Sequence, residues 1–69
     1  MKKREVYHVI PYAKDGWQIR NERTDEIISV YDTKQEAVNK AIQNSKDNTP
    51  SRLVVHKENS RIQVLYTYG

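Results

Sequence analysis

The sequence predicts a small α+β domain with the element order βββαββ, in which one helix packs on one face of a mainly antiparallel sheet. Three runs in the first half of the 69-residue chain alternate apolar and polar residues with a period of two, as strands do. The period then changes to that of a helix, and two more alternating runs follow. The predicted strands are residues 5–12, 17–21, 26–32, 52–57 and 61–68.

The first three strands are predicted to form an antiparallel meander joined by short turns. Pro11, near the end of the first strand, indicates an edge strand or a strand terminus. The pair Asp15-Gly16 favours a tight reversal, because glycine accepts positive φ without steric cost. Trp17 is in phase with Ile19, so we expect it in the core rather than as a stacking platform for bases.

Alternation also assigns the side chains of the third and fifth strands to faces of the sheet. In the third strand it places Ile28 and Val30 on one side, and Ile27, Ser29 and Tyr31 on the other. In the fifth strand, the expected core side is Ile62, Val64 and Tyr66, with Tyr68 near the rim, and the expected outer side is Arg61, Gln63, Leu65 and Thr67. Exposure of Leu65 would be the most direct indication of a partner.

A helix is predicted to begin after Thr33, because Thr33 and Glu36 have the spacing of a capping box. Asn48, expected in the left-handed conformation, and Pro50 mark its end. Its apolar stripe is Ala37, Val38, Ala41 and Ile42. A helix of about 14 residues, roughly 21 Å long, covers only one face of the sheet. The other face is therefore expected to be wet or paired with another subunit.

Five short motifs occur in a familiar order: "YHVIP", "GW", "VYDTKQEAVNKA", "LVVHKENSRI" and "TYG". With these motifs the chain resembles the bacterial family known as domain of unknown function 2188, from Tyr7 to Gly69. One departure is the second hairpin, where Asn59-Ser60 stands in place of the Asp-Gly usual in the family. The resemblance implies the fold and a bacterial cytoplasmic setting, and it leaves the function open.

Composition indicates one cytoplasmic domain, residues 5–69, preceded by a disordered basic arm, residues 1–4. The chain contains no cysteine, which excludes disulfides and thiolate zinc sites. No apolar run reaches the roughly 20 residues that span a bilayer, and we expect neither an anchor nor a signal peptide. Twelve Lys and Arg against nine Asp and Glu give a net charge of +3, which permits a polyanion-binding patch without requiring one.

No catalytic site is predicted, and the protein is expected not to be an enzyme. The sequence lacks phosphate-loop, nucleophile-elbow and metalloprotease motifs. The only histidines, His8 and His56, lie in strands without carboxylates or cysteines at ligand spacing, so they are interpreted as ordinary strand residues. The acidic pair Asp25-Glu26 is typical of a turn. We expect no metal and no small-molecule cofactor.

The sequence instead predicts a small binding module that uses the sheet face not covered by the helix. Nucleic acid is the predicted ligand class. Its expected contacts are Arg20, Arg52, His56, Lys57, Arg61 and Gln63. The alternative is a homodimeric structural or protein-interaction module that uses the same face or an edge strand. A mainly apolar uncovered face, formed by Tyr7, Val9, Tyr31, Val54 and Leu65, would favour the dimer.

Overall fold

The computed structural model describes residues 4–69, which form a five-stranded sheet with one helix on one face. The strands are β1 (Glu5–Tyr12), β2 (Gly16–Asn21), β3 (Glu26–Tyr31), β4 (Ser51–His56) and β5 (Ile62–Tyr68), and the helix α1 is Lys34–Asp47. The predicted order βββαββ is confirmed. The predicted basic arm lies outside the described residues except for Arg4, whose guanidinium donates to the carbonyl of Ser51 at 3.3 Å.

The sheet is mixed, with the strand order β3-β2-β1-β4-β5. The pairs β1–β2, β2–β3 and β4–β5 are antiparallel, as predicted, whereas the central pair β1–β4 is parallel. Parallel neighbours need a crossover connection, and α1 supplies it by leading from the edge strand β3 back to the centre. Pro11 lies in a central strand, but beyond Val9, the last β1 residue paired with β4. It therefore marks a strand terminus, not an edge.

The core lies between α1 and the sheet. Ala37 and Ala41 of the helix are fully buried, as are Val9, Ile19 and Leu53 of the three central strands. Val38 and Ile42 pack against the same cluster, which confirms the predicted apolar stripe. Because alanine is small, the helix can approach the sheet closely.

Trp17 belongs to this core and is 9% exposed, so its predicted packing role is confirmed. The ammonium group of Lys34, in the first turn of α1, lies 5.1 Å from the centroid of the Trp17 ring. This is a cation–π contact. It joins the start of the helix to the β2 strand beneath it.

The helix begins where the capping box predicted. The Thr33 side chain accepts the N–H of Glu36 at 3.2 Å, and its hydroxyl donates to the Glu36 carboxylate at 3.1 Å. At the other end, the prediction of a left-handed Asn48 is wrong, since its φ is −125°. Its side-chain amide instead donates to the carbonyl of Asn44 at 2.8 Å, which satisfies one of the free carbonyls of the last turn.

Gly16 does not have the positive φ that was predicted for it, and close backbone packing acts at this position instead. The positive φ in the first turn belongs to Ala13, at 55°, whereas Gly16 already pairs with Tyr12 as the first residue of β2. A Cβ atom at Gly16 would lie 3.0 Å from the Tyr12 carbonyl oxygen. Close backbone approach therefore disfavours a side chain here.

A β-bulge in the β2–β3 pair moves Ile27 to an unexpected face. The register shifts between Ile19 and Arg20, so that Arg20 pairs with Ile27 and Ile28 is left out of the pairing. Val30 pairs with Gln18 on the same face as Arg20. Ile27 therefore lies on the side of Val30, and the alternation predicted for the third strand is wrong at this position.

A second bulge, in the β4–β5 pair, has the same effect on Ile62. Val55 pairs with Val64 but His56 pairs with Ile62, which leaves Gln63 unpaired. Ile62 therefore shares the face of His56 and is 61% exposed, so its predicted packing under the helix is wrong. The predicted outward position of Gln63 is also wrong, because its side-chain oxygen accepts from the ammonium of Lys34 on α1.

Candidate functional site

The candidate site is the sheet face that α1 leaves uncovered, which we call the open face. Side chains directly opposite each other on neighbouring strands share a face, so backbone pairing defines its members. Its most exposed large apolar side chains are Ile27 (45%), Val30 (49%), Leu65 (49%) and Ile62 (61%). They lie on the two edge strands, β3 and β5. Two apolar strips therefore flank the centre of the open face.

Polar and apolar side chains share the centre of the open face. The polar ones are His8 of β1, Gln18 and Arg20 of β2, and Arg52 and His56 of β4, and the apolar ones include Val6, Ile10 and Val54. Gln18 Oε1 and Arg20 Nε are buried and have no hydrogen-bond partner among the described residues. A terminal nitrogen of Arg20 donates to Asp25 at 3.2 Å. The unpartnered atoms of Gln18 and Arg20 lie below the surface, so the groups that the centre offers to a ligand are the exposed ones, such as Arg52.

The two histidines form a continuous hydrogen-bonded chain across the polar centre. His8 Nε2 lies 2.8 Å from Glu22 Oε1, and His8 Nδ1 lies 2.9 Å from His56 Nε2. His56 Nδ1 lies 2.9 Å from the backbone carbonyl oxygen of Ser60. The ring centroids are 5.1 Å apart and the planes are tilted by 32°. The structure thus brings together two residues that were interpreted from the sequence as ordinary strand residues.

A second polar cluster lies on the covered side, at the end of the sheet where β1 starts. Arg23 donates two hydrogen bonds of 3.0 Å to Glu5, and the amide of Asn21 donates to the same carboxylate at 3.2 Å. The hydrogen bonds to Glu5 raise the pKa of Arg23. Burial, together with the charge of Glu5, raises the pKa of Tyr7. This cluster fastens the β2–β3 turn to β1.

The residues predicted to bind nucleic acid do not all lie on one surface. Arg20, Arg52 and His56 lie on the open face. Lys57 and Arg61 lie in the hairpin between β4 and β5, where the Lys57 N–H donates to the Arg61 carbonyl at 2.7 Å. Gln63 contacts α1 on the covered side. Three of the six therefore share one surface.

The residues predicted to form an apolar dimer face lie on both faces of the sheet. Tyr7 and Val9 belong to the buried core, and Tyr31 packs against it. Only Val54, at 4% exposure, and Leu65 lie on the open face. Besides Leu65, the most exposed apolar side chains of this face are Ile27, Val30 and Ile62, and β-bulges place Ile27 and Ile62 there.

Glu22 and Ser60, which complete the histidine chain, were missing from the sequence prediction. A signal for Glu22 was available: in a β1–β2 hairpin with Tyr12 opposite Gly16, Arg20 falls opposite His8 and Glu22 follows two residues later. No comparable signal existed for Ser60. Its contact depends on the parallel pairing of β1 with β4 and on the shape of the next hairpin.

Beside the helix, an open groove of about 490 Å³ lies between α1 and β5. Lys34, Gln35, Val38 and Asn39 form one wall, and Val64 and Tyr66 lie on the strand side. Tyr66 is 38% exposed, so it lies at the groove rather than beneath the helix as predicted. Val64 and Tyr68 pack against the core.

The chain matches a known protein family over most of its length. The sequence profile of DUF2188, described as uncharacterized proteins conserved in bacteria, matches residues 7–68. The chain belongs to this family. No curated protein and no solved structure matches it. The DUF2188 match extends from β1 to β5 and so includes both strands that carry the histidine pair.

The single helix in the described part of this DUF2188 domain is not long and apolar enough to cross a membrane. No group of three or more His, Cys, Asp or Glu side chains within residues 4–69 is arranged to hold a metal ion. Within residues 4–69, the pair of His8 and His56 could offer an ion no more than two nitrogen ligands.

Proposed function

We propose that this DUF2188 domain is a non-enzymatic interaction module of the bacterial cytoplasm, and that it forms a homodimer through the open face. The observation that carries the proposal is the pair of apolar strips, in which Ile27, Val30, Ile62 and Leu65 are 45–61% exposed. Exposed apolar side chains grouped on one face in this way are typical of protein–protein contacts. The cysteine-free sequence supports the cytoplasmic location.

A two-fold symmetry axis would bring the apolar strips of two copies together. A two-fold axis parallel to the strands would set the β3 strip of one copy over the β5 strip of the other, with the two sheets about 10 Å apart. The central side chains of the two copies, among them Arg20 and Arg52, would then face each other. A 69-residue domain also has little core of its own, so burial of a second apolar face would add stability.

Light scattering over a concentration series tests this proposal. We expect the wild-type mass to approach twice that of the chain, and Leu65→Lys to shift the protein to a monomer, because a charge at the β5 strip would be buried against the partner. Gln43→Lys adds the same charge to the exposed side of α1 and should leave the dimer intact. A wild-type protein that stays monomeric at every concentration would contradict the homodimer.

A second candidate function is nucleic-acid binding through the polar centre of the same face. Arg52 is exposed and has no ion pair among the described residues, and Arg20 lies on the same face, where its guanidinium pairs with Asp25. Both guanidinium groups are suited to phosphate contacts. The net charge of +3 is compatible with a weak, salt-sensitive interaction.

The nucleic-acid candidate is tested by titrating labelled single-stranded and duplex DNA and RNA at two salt concentrations. Arg52→Gln should weaken binding and lower the salt dependence by about one unit of log–log slope. Lys40→Gln, on the exposed side of α1, removes the same charge from another surface and should have a smaller effect. Absent binding, or binding that salt does not weaken, would exclude this candidate.

A further inference from the structure

The His8–His56 contact is the middle link of the hydrogen-bonded chain. At one end this chain meets the Glu22 carboxylate and at the other the carbonyl of Ser60, and both groups accept hydrogen bonds. When the outer nitrogen of each ring donates, each neutral imidazole has used its only N–H. The inner nitrogens, His8 Nδ1 and His56 Nε2, then direct lone pairs at each other across 2.9 Å.

Two facing lone pairs at this distance require a cation between them. A proton fills the position at the distance observed, as an ordinary N–H···N hydrogen bond. A metal ion fills it when the nitrogens separate slightly. With zinc–nitrogen distances of about 2.0–2.1 Å and a tetrahedral angle, the two nitrogens would lie roughly 3.3 Å apart. The nitrogens must separate by a few tenths of an ångström, and each ring must turn by roughly 35° so that its lone pair points at the ion, which side-chain rotation can supply.

We propose that His8 Nδ1 and His56 Nε2 form a binding site for a divalent transition-metal ion of the Zn²⁺ and Cu²⁺ class. Imidazole nitrogen suits these ions, whereas Mg²⁺ and Ca²⁺ prefer oxygen ligands. Water or a group from a partner completes the coordination, because the described chain supplies only the two histidines. The site is therefore weaker than a closed structural zinc site with four protein ligands.

The groups behind the histidines distinguish this arrangement from a chance surface pair. A histidine that binds a metal usually donates its other N–H to a carboxylate or a backbone carbonyl, which fixes the tautomer and the ring orientation. Here Glu22 receives the outer N–H of His8 and Ser60 receives that of His56. Both supporting contacts are present, and a metal ion would replace the hydrogen bond between the inner nitrogens.

The neighbouring side chains also hold the two rings in place. His8 lies opposite Val54, which is 4% exposed, and His56 lies opposite Ile62. Arg20, opposite His8 on β2, directs a guanidinium nitrogen to Asp25, and the negative charge of Glu22 favours a bound cation. The pair therefore stands on two adjacent, hydrogen-bonded strands, which position ligands more rigidly than loops do.

Isothermal titration calorimetry of the untagged full chain with Zn²⁺, and separately with Cu²⁺, tests the site. We expect one ion per chain. His8→Gln and His56→Gln should each abolish this stoichiometric binding. Glu22→Gln should weaken it by about 10- to 100-fold, because it alters a supporting group and not a ligand. Glu26→Gln removes an exposed carboxylate outside the chain of hydrogen bonds and should leave the affinity unchanged.

A second readout needs no variant and so does not depend on how the substitutions fold. In the wild-type protein, Zn²⁺ should shift the ring-nitrogen NMR signals of His8 Nδ1 and His56 Nε2 far more than those of the outer nitrogens. Absence of stoichiometric binding for both ions would show that the pair holds a proton only, and would overturn the proposal. Binding that both histidine variants retain, or shifts confined to the outer nitrogens, would overturn it as well.

Discussion

Nδ1 of His8 lies 2.9 Å from Nε2 of His56, although the two residues are 48 positions apart in the chain. The contact exists because β1 and β4 are parallel neighbours. His8 lies opposite Val54 on β4, and His56 follows two residues later on the same face. A pairing of remote strands thus creates a two-imidazole unit that neither strand contains by itself.

The protonation of His56 follows from this geometry. The Ser60 carbonyl can only accept a hydrogen bond, so His56 Nδ1 must carry the proton in that contact. We expect the neutral Nδ1–H tautomer for His56 in the metal-free protein, measured by ring-nitrogen chemical shifts and long-range proton–nitrogen correlation. His8→Gln leaves the Ser60 contact in place and should preserve this tautomer. A neutral His56 with its proton on Nε2 would contradict the hydrogen-bonded chain.

Two isoleucines that look alike in the alternating sequence should differ strongly in their contribution to stability. Ile19 is fully buried, whereas Ile62 is 61% exposed because of the bulge at Gln63. Ile19→Ala should lower the free energy of unfolding by about 2–5 kcal/mol through lost burial and a cavity. Ile62→Ala should change it by no more than about 0.5 kcal/mol. Urea unfolding at concentrations too low for self-association measures both, and equal losses would contradict the bulge.

Stability should fall in alkaline solution because of Tyr7. Burial first, and the charge of Glu5 second, raise the pKa of its phenol above the ordinary value of 10.0, so the folded state favours the neutral form. This contribution is complete below about pH 10 and is lost as the pH rises from there through the folded-state pKa. Urea unfolding between pH 8 and 11 should show a smaller alkaline loss for Tyr7→Phe than for the wild type. Tyr12→Phe, at an exposed tyrosine, should behave as the wild type does.

Relief of the positive φ at Ala13 should stabilise the domain. Ala13 has a φ of 55°, in the left-handed region that costs an L-residue roughly 1–2 kcal/mol. Glycine removes that cost but loses roughly 0.5–1 kcal/mol of chain entropy, so Ala13→Gly should gain about 0.5–1 kcal/mol. Lys14→Gly is the matched control, since Lys14 has no positive φ and should gain nothing. Thermal or urea unfolding compares the two, and equal changes would exclude the turn geometry as the cause.

The fold was predictable to the level of its elements because their signals are local. The period-two runs, the spacing of Thr33 and Glu36, and the stripe that contains Ala37 and Ala41 each depend on residues close together in the chain. Trp17 in the core followed from the same alternation. The site was predictable only in part: Arg20 and Arg52 were assigned to the correct face, but Gln63 was not.

By itself the sequence therefore determined the six elements, the start of the helix and most of the core, since each rests on short-range periodicity and capping. The tertiary structure decided the parallel β1–β4 pairing and the two β-bulges, because hydrogen bonding between remote strands sets the register. Those two features turn Ile27 and Ile62 onto the open face and bring His8 against His56. A shift of one residue in pairing reverses the face of a side chain, and no local pattern records that shift.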